Sequence, residues 1–171
     1  MDPDAGERVR EKGERWLPHP PFLRAARASE MSSGWTVQIT VQPTIDPNSI
    51  STSVDSFAGN GEGRLADGRG DRASFNQPSD VDSADGNIVF VADAGNHAIR
   101  RMAGDSVGTL AGTGTAGWRD GEGRTALFYR PTAVAAGNLG DVFVADTGNS
   151  AIRHVTASGV VSTLWDRVGY T

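Results

Sequence analysis

The chain has 171 residues, a formal net charge of −5 and no cysteine. An acidic chain lacks the clustered Lys and Arg that sequence-independent binding to phosphates needs, so nucleic acid is not an expected partner. The lack of cysteine excludes disulfides and thiolate-ligated metal sites. Twenty-two glycines and eight prolines favour many short strands joined by turns, and the length allows one ordinary domain.

Residues 1–34 mix acidic and basic side chains and include a proline-broken stretch at 18–21. The apolar periodicity is too weak for firm docking, so the segment is predicted to be a polar, mobile arm. It carries no apolar core of a secretory signal, and no apolar run approaches the roughly 20 residues that span a membrane. We expect no membrane insertion, and the compartment is left as cytoplasmic by default.

Residues 35–42 alternate apolar and polar side chains with a period of two. This alternation is typical of a half-buried strand. It places Trp35, Val37, Ile39 and Val41 on one side, which another part of the molecule has to cover.

Residues 57–164 contain two copies of one sequence pattern at a spacing of about 53 residues, which lies in the range of propeller and solenoid units. Residues 90–100 read Phe-Val-Ala-Asp-Ala-Gly-Asn-His-Ala-Ile-Arg, and residues 143–153 read Phe-Val-Ala-Asp-Thr-Gly-Asn-Ser-Ala-Ile-Arg. Each copy is preceded by a glycine-rich stretch with Asp-Gly, Ala, Phe and Pro in the same order. Ordered identity of this extent indicates a duplicated structural unit.

Each copy contains four strand signals. The run 88–92 is apolar on both faces, which a strand tolerates when it lies between two neighbouring sheets. The Asp-x-Gly-Asn segments that follow are predicted to be tight turns in which Gly and Asn adopt positive φ. The predicted strands are 78–82, 87–92, 98–102 and 106–110 in the first copy and 131–135, 141–145, 151–155 and 160–164 in the second.

The strings at 90–100 and 143–153 resemble the NHL repeat, whose hallmark is an aromatic-Val-Ala-Asp strand followed by an Asn-His segment. The resemblance covers about 57–164. It implies an all-β fold of β-propeller blades: two complete four-stranded antiparallel blades plus a partial one, in an incomplete ring. The resulting division is an arm (1–34), a partial blade (35–56), blade 1 (57–110), blade 2 (111–164) and a tail (165–171).

Family members commonly form six-bladed rings that serve as binding platforms, and a few are lyases. Two full blades cannot close such a ring. We therefore expect either that the chain is a truncated product of a longer gene or that copies of the chain self-associate, for example as a trimer of two-blade units.

Positions that are identical in the two copies are best explained by needs that every blade shares. The structural repeat positions singled out on this ground are Asp67, Asp120, Asp93, Asn96, Asp146 and Asn149. Binding residues are expected where the copies differ, at the end of the blade where the long loop and the Asp-x-Gly-Asn turn emerge together. Trp118, Arg119, Tyr129 and Arg130 replace smaller or uncharged residues there, and Trp, Tyr and Arg are enriched in binding hot spots.

Catalysis is not expected. A propeller lyase or lactonase would need His, Asp or Glu side chains that converge on a metal from several blades. Here His97 is matched by Ser150 and His154 by Arg101, so no ring of ligands is visible and no metal or other cofactor is predicted. The expected function is a non-catalytic module for protein-protein binding or assembly. A purely structural subunit and a fragment of a propeller enzyme remain the alternatives.

Two further motifs are not interpreted as binding sites, because the surrounding residues do not fit them. The glycines of 112–117 satisfy a dinucleotide pattern, but no βαβ unit surrounds them. The acidic run at 80–86 resembles the start of a calcium loop with incorrect spacing, and the second copy has Ala133 and Ala135 in place of two of the acids.

Overall fold

The computed structural model describes residues 25–31, 34–40, 54–84 and 88–167, with side chains from Ala58 onward. The described part is built from strands and two short 3₁₀ turns, arranged in three antiparallel sheets that do not close a ring. No helix in these ranges is long and apolar enough to cross a membrane. The strands are β1 (Ala25–Met31), β2 (Gly34–Thr40), β3 (Val54–Gly61), β4 (Gly68–Arg69), β5 (Pro78–Ala84), β6 (Ile88–Asp93), β7 (Ala98–Ala103), β8 (Ser106–Ala111), β9 (Ala133–Ala136), β10 (Val142–Asp146), β11 (Ala151–Val155) and β12 (Val161–Trp165).

Blade 1 is a sheet with the strand order β4-β8-β7-β6-β5. Strand β6 lies inside it, and Val89, Phe90, Val91 and Ala92 are all buried. The prediction that this apolar run is covered on both faces is confirmed. The short β4 comes from the glycine-rich loop and pairs with the outer strand β8, which the sequence did not indicate.

Blade 2 repeats this arrangement with the order β12-β11-β10-β9. In place of β4, a single bridge joins Gly121 to Val161 on the outer strand. All eight predicted strands are present, with ends that differ by at most two residues from the predicted ones. The all-β propeller reading is therefore confirmed, and the ring is incomplete as expected.

The third sheet precedes the two blades and has the order β1-β2-β3. Strand β2 confirms a strand in the predicted range, although Val41 and Gln42 lie outside the described residues. Residues 1–34 were predicted to be a mobile arm, but the structure has strand β1 within them. Its backbone pairs with β2 over its whole length, so main-chain hydrogen bonds take the place of the apolar pattern that the segment lacks.

The turns between the second and third strands of each blade are short 3₁₀ segments, Ala94–Asn96 and Thr147–Asn149. The prediction that Gly and Asn adopt positive φ is wrong, because His97 (51°) and Ser150 (52°) do so. Gly95 is needed for space instead: a Cβ there would lie 2.7 Å from the backbone oxygen of Asn76.

The core lies between sheets rather than within one. The back face of blade 1 packs towards the first sheet in a cluster that includes Phe75, Val91 and Met102. The front face of blade 1, with Phe90 and Ile99, packs on the back face of blade 2. We use front and back in this sense for both blades, so the front face of blade 2 is the next in the series.

Candidate functional site

A buried arginine holds each blade together from inside. In blade 1, Arg100 is 0% exposed and its Nη1 donates to Asp93 Oδ2 at 2.8 Å, while its Nη2 donates to Asp67 Oδ1 at 2.9 Å. Two backbone carbonyls, those of Ser74 and Ala66, accept from the same nitrogens. The guanidinium also lies 4.9 Å from the centre of the Phe75 ring. Residues far apart in the repeat are thereby joined at one cation.

Blade 2 contains the same arrangement around Arg153. Its Nη1 donates to Asp146 at 2.8 Å, its Nη2 donates to Asp120 at 2.5 Å, and it lies 5.0 Å from the centre of the Phe128 ring. In each blade an asparagine amide donates to the fully buried aspartate: Asn96 donates to Asp93, and Asn149 donates to Asp146. All six structural repeat positions therefore lie on or beside these arginines.

The buried aspartates of the two blades, Asp93 and Asp146, have raised pKa values. Burial raises the pKa of the Asp93 carboxyl above its ordinary value, while the amides of Asn96 and Asn76 and the Arg100 charge act against the rise. The pKa of Asp146 is raised for the same reason. Both carboxylates are 0% exposed, so the arginines are their close counter-charges.

The two blades are joined by carboxylates for which the sequence alone indicated no role. Asp80 and Asp82 on β5 accept hydrogen bonds from the backbone N–H groups of Val134 (2.9 Å) and Ala136 (2.8 Å) on β9. The corresponding positions of blade 2 are Ala133 and Ala135, which have no acceptor to offer to a further blade. The replacement of these two aspartates by alanine in the second copy was the feature of the sequence that could have indicated a role specific to the contact between the blades.

Two of the four predicted binding residues lie at this junction. Tyr129 is 43% exposed, and its ring is 5.8 Å from that of His97. The backbone N–H of Arg130 donates to His97 Nδ1 at 3.1 Å. The side chains of Tyr129 and Arg130 are thus presented where the two blades meet, and their role in binding stays a prediction.

The other two lie on the loop that leads into blade 2. Trp118 is 47% exposed and its Nε1 donates to Thr163 Oγ1 at 3.3 Å. Arg119 is exposed, and its Nε donates to the carbonyl of Thr125. Backbone bonds pair this loop with the segment that ends at Tyr129, so the structure brings the four residues to neighbouring segments of one blade.

The His97 contact predicts a pH dependence. Burial and the nearby Arg130 charge lower the pKa of His97 below 6.5, and Nδ1 accepts its hydrogen bond only while the ring is neutral. This contribution to stability is present above pH 6.5 and is lost as the pH falls towards the lower folded value. In an NMR titration we expect a His97 midpoint below 6.5 that rises in Arg130→Gln. Arg69→Gln, which removes an exposed charge paired with Asp105, should leave it unchanged, and equal effects of the two variants would contradict this assignment.

The front face of blade 2 is the open apolar surface of the described structure. Phe143 is 41% exposed and Ile152 is 40% exposed, whereas Phe90 and Ile99 at the equivalent positions of blade 1 are 0% exposed. Trp165 pairs with Ile152 across the strands and is 44% exposed. The alignment of the two copies already placed Phe143 at the position of Phe90. Whether that position is buried depends on the sheet packed against it, and the repeat sequence does not show which blade has such a sheet.

A polar pair borders this open face. His154 Nε2 and Asp141 Oδ2 are 2.8 Å apart, and the His154 ring lies 5.1 Å from that of Phe143. The hydrogen bond with His154 lowers the pKa of the Asp141 carboxyl. Within residues 54–84 and 88–167, no three or more His, Asp or Glu side chains are grouped so as to hold a metal ion.

Comparison with known proteins gives matches in the same region. The NHL repeat family model matches residues 75–102 and 128–155. The Arabidopsis thaliana protein SUPPRESSOR OF QUENCHING 1, chloroplastic, is 37% identical over 91 residues, which are 52% of this chain and 9% of that protein. The chain thus spans a small part of this relative.

Two solved structures share the architecture. A protein of unknown function from Bacteroides thetaiotaomicron has a TM-score of 0.55 at 24% identity, covering 70% of this chain and 32% of its own. An auxiliary nutrient binding protein from the same species has a TM-score of 0.52 at 19% identity, covering 75% and 32%. At these identities the likeness shows the fold alone. Because the two matched segments lie within blade 1 and blade 2, over strands β5–β7 and β9–β11, the chain carries two tandem NHL repeats that fold as β-propeller blades.

Proposed function

We propose that this chain is a non-catalytic protein-binding module, and that the front face of blade 2 docks a β-sheet of a partner. The observation that carries the proposal is the contrast between Phe143, 41% exposed, and Phe90, 0% exposed, at equivalent positions. The same surface is covered by a sheet in one blade and uncovered in the next. Exposed apolar clusters of this kind mark interaction sites.

The partner is expected to be a propeller-like blade, supplied by a second copy of the chain or by another polypeptide. Blade 1 presents Phe90 and Ile99 to the back face of blade 2, so blade 2 offers the same aromatic and aliphatic side chains to an equivalent back face. Because Ala133 and Ala135 replace the bridging aspartates, docking would depend on apolar packing. The exposed Trp118, Arg119, Tyr129 and Arg130 would add a second contact region.

The absence of catalysis is part of the proposal. Of the two described histidines, His97 accepts a hydrogen bond from the Arg130 backbone and His154 bonds Asp141. The buried aspartates are engaged by arginines and amides. These ionisable groups serve internal contacts, which supports a binding role.

A photo-crosslinking amino acid at position 143 tests the docking surface. The matched control is position 139, where Leu139 is 87% exposed but lies on the turn before β10. We expect an intermolecular adduct from position 143, to a second copy or to another polypeptide, and little from position 139. Adducts of equal yield at both positions, or none from position 143, would refute docking at this face.

A further inference from the structure

A cleft of about 230 Å³ lies on the outer side of the junction between the blades. One wall is the β7–β8 hairpin, with Arg101, Ala103, Ser106, Gly108 and Leu110, and the other includes Ala157 in the turn between β11 and β12. The volume is below the roughly 300–1,000 Å³ of sites for drug-sized ligands. It suits one side chain or a short organic molecule.

Arg101 gives this cleft its charge. The residue is half-buried, and its guanidinium has no hydrogen bond or ion pair with any described residue. In its neighbour Arg100, both terminal nitrogens donate to carboxylates and carbonyls, and Arg69 pairs with Asp105. A half-buried guanidinium without a counter-charge is suited to an anion, because its planar N–H fork binds a carboxylate through two parallel hydrogen bonds.

Gly108 keeps the space in front of Arg101 open. The two residues are directly opposite each other on β7 and β8, and a Cβ built on Gly108 would have no atom within 4 Å. In blade 2 the opposed pair is His154 and Ser162, and His154 is bonded to Asp141. The free cation and the open space therefore belong to the junction between the blades and are not repeated in blade 2.

We propose that this cleft binds a carboxylate, with Arg101 as the anion-binding residue and the Ser106 hydroxyl as an additional donor. One guanidinium matches the single charge of a carboxylate better than the double charge of a phosphate monoester. The apolar walls formed by Ala103, Leu110 and Ala157 fit one or two methylene groups behind it. The ligand is thus a short carboxylic acid or an acidic side chain of a peptide.

The test is an NMR titration of the chain with sodium propionate, followed at the amides of Ser106 and Gly108. Propionamide, which has the same shape without the charge, is the matched ligand control. We expect saturable shifts with propionate and none with propionamide. Non-saturable shifts, or equal shifts with both compounds, would overturn the proposal.

Two variants separate the charge from the space. Arg101→Gln removes the cation, and Gly108→Val fills the cleft while Arg101 remains. Valine is favourable in a strand, and a Cβ at position 108 would meet no atom within 4 Å. Each should weaken propionate binding by roughly tenfold or more, because the charge-assisted bonds or the space are lost. Arg72→Gln, which removes an exposed charge outside the cleft, should bind as the parent does, and unchanged binding in Arg101→Gln would overturn the proposal.

A capped Gly-Glu-Gly peptide distinguishes the two sources of the carboxylate, with Gly-Gln-Gly as its control. Tighter binding of the Glu peptide than of propionate would support the proposal with a protein side chain as the ligand. Equal or weaker binding of the peptide, with propionate still saturable, would support it with a free acid. Both outcomes support the proposal only if Arg101→Gln weakens the binding of the tighter ligand by the same factor of roughly tenfold or more.

Discussion

Replacing Asp93 with alanine is expected to lower the free energy of unfolding by about 3–5 kcal/mol, the usual cost of breaking a buried ion pair from one side. The variant leaves the guanidinium of Arg100, 0% exposed, without its closest buried counter-charge. The amide of Asn96 and the backbone N–H of Asn76 lose their acceptor as well. Urea denaturation followed by circular dichroism measures the loss.

The matched control is Asp105→Ala. Asp105 also pairs with an arginine, Arg69, but both side chains are more than 70% exposed, at 71% and 72%. Exposed pairs contribute about 0–1 kcal/mol, so the control should lie close to the parent chain. Equal losses for the two variants would show that the buried arginine does not hold the blade together.

Phe90→Ala should be as costly as the loss of Asp93, at about 3–5 kcal/mol, because it leaves a cavity in the core between the blades. Phe90 is 0% exposed and belongs to the cluster that blade 1 forms with blade 2. Phe143→Ala is the matched variant, with the same residue type at the equivalent position but 41% exposed. In a dilute solution of the isolated chain we expect a loss of about 1 kcal/mol or less, since half-exposed side chains contribute little.

The comparison becomes more informative as the protein concentration rises. If a second copy covers the front face of blade 2, the cost of Phe143→Ala should grow with concentration, whereas the cost of Phe90→Ala should not. Equal, concentration-independent costs for the two variants would show that Phe143 is as buried in solution as Phe90.

Much of the fold was predictable because the chain contains two copies of one sequence pattern. The repeated strings indicated eight of the nine strands of the two blades, all except the short β4, and the doubly apolar run at 88–92 predicted correctly that its strand lies between sheets. Strand β1 was missed because its alanine-rich sequence does not alternate apolar and polar side chains, and the strand is held by backbone pairing with β2. The positive φ of His97 was missed because glycine, the usual residue for that conformation, stands two positions earlier and is needed for clearance.

The candidate sites were harder to predict, because they depend on what lies beside each blade. Asp80 and Asp82 resembled half of a calcium loop, and only the position of β9 shows that they accept from its backbone. Phe143 and Phe90 are indistinguishable in the repeat but differ in their neighbours. Arg101 stands out only when its lack of a described partner is known. For Trp118, Arg119, Tyr129 and Arg130, the exposure is as expected for a contact surface, and the binding itself remains to be measured.

The hydrogen bonds at the outer edges of strands β8 and β12 affect how the chain can aggregate. In blade 1 the first two residues of β8, Ser106 and Val107, are paired with β4. In blade 2 Gly121 exchanges two backbone hydrogen bonds with Val161, and Asp120 accepts from the N–H of Thr163. These edge donors are therefore not free to template another strand. Any fibrils with a cross-β diffraction pattern that form in concentrated solutions should therefore not be nucleated at these two edges.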